Sequence, residues 1–102
     1  MDQQTTPLIE GLFRELRALG AATSTDDFSE NWLGMNRSYL RCLRARNRKP
    51  SPRALVQCST RLRKASGAML ASEQGPAMKK VAKRMSQLAD ICSKELFSMG
   101  EA

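Results

Sequence analysis

The chain contains no histidine, which removes the commonest general base and the commonest metal ligand together. Its three cysteines, Cys42, Cys58 and Cys92, are widely spaced and make no CxxC pair, so they offer no zinc site. An odd number set among helix-forming residues fits reduced thiols packed as small hydrophobes better than a disulfide framework. Cys42 alone has a competing assignment, given below. Serine is plentiful, yet there is no GxSxG elbow, no SxxK pair and no glycine run able to cradle a phosphate. The expectation is a protein that is not an enzyme and that carries no cofactor, no metal and no small-molecule ligand.

Long apolar runs are missing too. Nothing approaches the roughly 18 apolar residues of a membrane span, and "MDQQTTPLIEG" lacks the charged start and apolar core of a signal peptide. A soluble, cytoplasmic protein with no membrane partner is expected. Its 102 residues suit one domain with a modest core. The most telling absence is of acid. Residues 1–30 hold six acids against Arg14 and Arg17, residues 31–72 hold ten bases and no acid, and residues 73–102 hold five bases and four acids. The middle block therefore supplies more than the whole net charge of +7. A solvated face mixes both signs, so an acid-free block of this length is expected to be an electrostatic footprint for a polyanion.

No stretch alternates with a period of two, and no repeat or low-complexity tract occurs, which leaves an all-α fold. "TTPLIEGLFRELRALG" predicts a first helix over residues 7–19. Thr6 is its cap, Pro7 its first position and Gly20 its terminator, with Leu8, Ile9, Leu12, Phe13, Leu16 and Leu19 on the core face. Ser24 or Thr25 caps a short second helix over residues 26–33, with Asp26 and Asp27 in the first turn, where they complement the helix dipole. Phe28 and Trp32 share its inner face, and Gly34 stops it. A lone Trp so placed is a core residue rather than a platform for stacked bases. Asn36 is expected to cap a third helix that ends at Ala45 or Arg46. Ser51 and Pro52 open a fourth over residues 52–65, reaching Leu70 if Gly67 is tolerated, with Leu55, Cys58 and Leu62 continuing the apolar face. "ASEQG" is a loop, and Pro76 begins the fifth and longest helix, to Met99.

Two short helices joined by a glycine-containing turn make the helix-turn-helix unit, whose second helix enters the DNA major groove. In "LGMNRSYLRCL" Leu40 and Leu43 point inward while Arg37, Ser38, Arg41 and Cys42 occupy the opposite face. One segment both packs and presents charge because a recognition helix must do both. The stretch resembles the helix-turn-helix of phage-repressor-type bacterial regulators. Gly34 matches the turn glycine, Met35 the apolar turn position, and Leu40 and Leu43 the two inward positions. The match covers about 20 residues and extends loosely across the first four helices. The resemblance implies that Asn36, Arg37, Ser38, Arg41 and Cys42 face DNA. The chain departs from the pattern in one respect, since Phe28 to Gly34 is one residue too long. A wider turn, or a tighter last turn of the second helix, has to absorb it. The small residue that the family places beside its inward apolar position would be Ser29.

Phosphate contacts give affinity and base contacts give specificity. Arg37 and Arg41, one turn apart, are placed to lay a planar fork on guanine O6 and N7, the alternative being that both touch only phosphate. Ser38 and Cys42 are small enough to let the helix approach. Cys42 either meets a thymine methyl or is buried, and burial is the ordinary fate. Arg44, Arg46, Arg48 and Lys49 follow at the helix end and in the loop before "PSP", where they are expected on the DNA backbone. Tyr39 either donates its hydroxyl to a phosphate or packs against the second helix. Arg53, Arg61, Arg63 and Lys64 are explained almost as well by a solvated fourth helix.

On the last helix Met78, Val81, Met85, Leu88 and Cys92 recur at spacings of 3, 4, 3 and 4, the period of a two-helix seam. Either the seam folds back onto this chain's own core or Val81, Met85, Leu88 and Cys92 form a self-association surface. The sequence is thus expected to specify a five-helix protein, with residues 1–75 as a helix-turn-helix domain and residues 76–102 as a dimerisation helix. Its partners would be double-stranded DNA and a second copy, its role that of a sequence-specific transcriptional regulator of a prokaryote or mobile element, associated with the nucleoid. Two rivals stand beside it: a nucleoid-type or recombination accessory factor, and an adaptor that binds an acidic protein partner.

Overall fold

The computed structural model describes residues 7–71 and 75–100. Among these residues the chain is all-α, with five helices and no strand. They are α1 (Pro7–Ala18), α2 (Thr25–Asp27, continued by a π-helical turn over Phe28–Trp32), α3 (Tyr39–Arg46), α4 (Pro52–Ala71) and α5 (Pro76–Gly100). No described helix is long and apolar enough to cross a membrane. The Thr6 cap and most of the "ASEQG" loop lie outside the described residues.

The chain divides into two compact units, Met1–Ala54 and Leu55–Ala102. The boundary falls at the start of α4, the rest of which pairs with α5. In the second unit Ser59 Oγ donates to the Ala89 carbonyl at 3.4 Å and Ser66 Oγ to the Ala82 carbonyl at 2.8 Å. Arg63 reaches Asp90 at 3.0 Å and Ser93 Oγ at 3.2 Å. Higher positions on one helix meet lower positions on the other, so the pair is antiparallel. Cys58 and Cys92 are buried and share a hydrogen bond, and that bond with burial pushes the Cys58 thiol up. Gly67 sits within α4, which runs through it to Ala71, and a side chain there would meet open space.

The stripe offered for self-association is covered within the single chain. Met85 and Leu88 are 1 % and 2 % exposed, Cys92 not at all, and Val81 is half-buried. The seam is thus packed within the chain's own core, the first of the two alternatives that its period left open.

The first unit is closed by local chemistry. Gly20, at φ 79°, ends α1 in a Schellman motif, its N–H bonding to the Arg17 carbonyl and that of Ala21 to the Leu16 carbonyl. Ser24 Oγ accepts from the Asp27 N–H at 3.0 Å, and the Asp27 carboxylate accepts from the Thr23 N–H at 2.9 Å, a reciprocal pair akin to a capping box. The bond from Thr23, with one from Asn31, holds the Asp27 carboxyl below its ordinary value. The Trp32 indole is half-buried and donates to the Ala21 carbonyl at 3.1 Å, which ties the end of α2 to the loop after α1. Phe28 is wholly buried, its ring 5.4 Å from that of Phe13. Ser51 caps α4 through the Ala54 N–H at 3.2 Å.

The surplus residue between Phe28 and Gly34 is absorbed by the π turn. The Leu33 N–H bonds to the Phe28 carbonyl at 3.1 Å, five residues back, and the Met35 N–H to the Ser29 carbonyl at 3.0 Å. A wider winding takes up one inserted residue, so the last turn is looser rather than tighter. Gly34 then turns the chain at φ 66°, a left-handed conformation that glycine, lacking a Cβ, adopts at no steric cost.

Ser29 is fully buried between α2 and α3. Its hydroxyl donates to the Thr25 carbonyl at 2.8 Å and accepts from the Leu40 N–H at 3.0 Å. Leu40 lies in the first turn of α3, where backbone N–H groups have no partner within the helix. Ser29→Ala leaves that buried donor without an acceptor and is expected to cost about 1–3 kcal/mol, read as a lower urea midpoint at unchanged slope. An unchanged midpoint would show that the bond carries no stability. Met85→Glu with Leu88→Glu places two carboxylates in the core. The cost of several kcal/mol exceeds what a small domain tolerates, so the double variant is expected to lose its helical circular dichroism. A folded double variant would return the stripe to the surface.

Candidate nucleic-acid interface

The third helix starts later than its sequence suggests. Asn36 does not cap it directly: its Oδ1 accepts from the Ser38 N–H at 2.9 Å and from Ser38 Oγ at 2.8 Å. That turn leads into α3 at Tyr39, with Ser38 as the capping residue. Arg37 and Ser38 thus lie in the entry turn rather than within the helix. Leu40 and Leu43 are buried, and Arg41, Cys42, Arg44 and Arg46 are exposed. Inward and outward residues separate as the sequence suggested, with one correction. Cys42 is exposed rather than buried, because its position on α3 falls between Arg41 and Leu43 on the outer side, 3.9 Å from Ser38 Oγ.

Acids from the first thirty residues reach into the acid-free block. Asp26 of α2 accepts from Arg41 Nε at 3.0 Å and Nη2 at 3.4 Å, and lies 3.5 Å from Arg37 Nε. Glu10 of α1 accepts from Arg44 Nε and Nη2, both at 2.7 Å. The Arg44 guanidinium also lies 5.8 Å from the centre of the Phe13 ring. Arg44 is therefore engaged by α1 and would have to leave both bonds to touch a phosphate. The hydrogen bonds from Arg44 hold the Glu10 carboxyl below its ordinary value of 4.5 against the opposing effect of partial burial, and the same bonds raise Arg44.

Arg46, Arg48 and Lys49 make no ion pair among the described residues. They line, with Tyr39, Cys42, Leu43 and Ser51, an open depression of about 280 Å³. The loop that carries them is pinned. Asn47 takes a left-handed conformation at φ 50° and ends α3, with the Arg48 N–H bonding to the Leu43 carbonyl at 3.0 Å. Pro50 is buried. The Tyr39 hydroxyl accepts from the Ser51 N–H at 2.8 Å and lies 3.4 Å from Ser51 Oγ. Tyr39 thus holds the loop, a role outside both of the alternatives its sequence position offered. Arg46 and Arg44 in the last turn also complement the helix dipole.

Asp26 and Glu10 at this surface, and Ser29 buried beneath it, were not legible in the sequence as partners of α3. Asp26 stands 15 residues from Arg41 and Glu10 stands 34 from Arg44, beyond any helical spacing rule. Ser29 alone had a signal, as the small residue beside Phe28.

The first unit is a small all-α domain whose glycine-turned helix pair presents a basic outer face. Residues 9–99 match the model of a family of unknown function, DUF6626, and the chain belongs to that family. No curated protein and no solved structure matches it.

The Glu10–Arg44 pair makes stability depend on acid. Glu10 titrates lower in the folded chain than in the unfolded one, so its contribution is present above the unfolded value and lost as pH falls through the folded value. The melting temperature of the wild type is expected to fall more than that of Glu10→Gln as pH drops below 4.5. The pair is partly exposed, so the difference should be at most about 1 kcal/mol. Parallel pH profiles would show the pair to be energetically silent.

Proposed function

We infer that the chain is a sequence-specific double-stranded DNA-binding protein, acting as a transcriptional regulator with α3 in the major groove. The observation that carries this is the division of one short helix and its entry turn. Leu40 and Leu43 are buried while Arg37, Ser38, Arg41 and Cys42 lie on the other side. A helix anchored by two residues and free along one face meets the need of a groove reader. Arg37 and Arg41 are assigned to bases, with Asn36, Ser38 and Cys42 beside them. Arg46 at the end of α3, and Arg48 and Lys49 on the pinned loop after it, have no carboxylate partner among the described residues and are assigned to phosphates.

A second assignment, DNA binding without sequence preference, is favoured by one observation. Arg46, Arg48 and Lys49, at the helix end and in its loop, have no carboxylate partner among the described residues, whereas Arg37 and Arg41 both lie against Asp26.

Fluorescence anisotropy with labelled duplexes at several salt concentrations separates these assignments. Arg46→Ala, Arg48→Ala and Lys49→Ala should weaken binding to all duplexes alike, each shallowing the plot of log K against log salt by about one unit. Arg37→Ala should cost about 1–3 kcal/mol on the preferred site and less on random duplex. Arg44→Ala should lower stability and leave the salt slope unchanged. Equal losses for Arg37→Ala on both duplexes would favour binding without sequence preference. Wild type that binds no duplex would overturn both.

A further inference from the structure

We propose that Asp26 is a specificity-determining residue that positions Arg41 to read a guanine. This rests on α3 being the DNA-reading helix, and it concerns an acid of the preceding helix that composition assigns only to the helix dipole.

The geometry separates the two edges of the Arg41 fork. A guanidinium carries five N–H donors in a plane. Asp26 takes the side edge, Nε at 3.0 Å and one hydrogen of Nη2 at 3.4 Å. The end edge, formed by Nη1 and the other hydrogen of Nη2, has no acceptor in these contacts and points away from the carboxylate. With the side edge occupied, that edge is the one left to place two parallel N–H groups on guanine O6 and N7. The Arg41 side chain is 57 % exposed, so the free edge is accessible.

Arg37 meets the same carboxylate differently. Its Nε stands 3.5 Å away, without a second bond, on a side chain 67 % exposed. It is steered but not held as a fork.

An exposed ion pair adds little to stability. What Asp26 changes is freedom and field. A long arginine loses rotamers on binding, and one already held in its bound shape loses fewer. Asp26 is also a negative charge beside the DNA-facing side, where it repels phosphates of any sequence. Both effects act toward discrimination: the carboxylate weakens binding to random duplex and strengthens the correctly read site relative to it. Asp27, one residue on, cannot substitute, because its carboxylate is engaged by the Thr23 N–H and Asn31.

The test is selection from a random-sequence duplex library with wild type, Asp26→Asn and Arg41→Lys, beside affinities for random duplex by anisotropy. Asp26 also sits in the first turn of a helix, so Asp26→Ser, which suits that turn, is run in parallel, and circular dichroism identifies the folded variant to use. The expected result is a guanine preference at one position of the wild-type profile that falls about tenfold in Asp26→Asn. The other positions should be kept, and affinity for random duplex should rise. Arg41→Lys, which keeps the charge and loses the fork, should lose the same position. Because both changes remove one interaction, the double variant should lose no more than either single one. A guanine preference lost in Arg41→Lys but intact in Asp26→Asn overturns the positioning role and leaves the assignment of α3 standing. Equal weakening on all duplexes by the folded Asp26 variant also overturns it. A wild type that selects no duplex overturns the assignment of α3, and the role of Asp26 with it.

Discussion

One buried hydroxyl ties the two short helices together. Ser29 Oγ donates a hydrogen bond to the Thr25 carbonyl of its own helix and accepts one from the Leu40 N–H of the next. A hydroxyl can do both because it is donor and acceptor at once. The bond satisfies an orphan donor at the start of α3, which would otherwise be buried without a partner. Everything assigned to DNA on α3 depends on where that helix begins and how it is turned. The Asn36 turn, the entry of Arg37 and Ser38 and the outward set of Arg41 and Cys42 all follow from its anchorage at Leu40.

The π turn explains how that anchorage survives an extra residue. With α-helical winding throughout, one more residue between Phe28 and Gly34 would rotate the turn away from Ser29. Widening the last turn of α2 keeps Phe28 and Leu33 both buried and lets Gly34 reverse the chain at a positive φ. The wider winding is thus confined to one turn of backbone.

Much of this was legible in the sequence because the signals are local. Ser24, the Ser51–Pro52 pair and Gly20 cap or end helices as their residue types dictate, and Leu40 and Leu43 face inward as their spacing demands. The candidate site was legible in its outline and not in its wiring. Segregation of charge along the chain was not segregation in space. Asp26 and Glu10 return across 15 and 34 residues to meet Arg41 and Arg44, and nothing in a helical repeat foretells such a meeting. The seam on α5 had the right period but two possible partners, and period alone cannot choose between a second chain and α4. Cys42 followed the composition of buried thiols, whereas its place on the turn of α3 put it outside.

The most direct test of the outer face of α3 is a titration of isotopically labelled protein with a mixed-sequence DNA duplex, followed by two-dimensional amide NMR. The account predicts that shifts and broadening concentrate on residues 36–42 and on Arg46, Arg48 and Lys49, with Leu62, Leu88 and Cys92 unmoved. Saturation without movement in residues 36–42, or perturbation centred on α5, would contradict it.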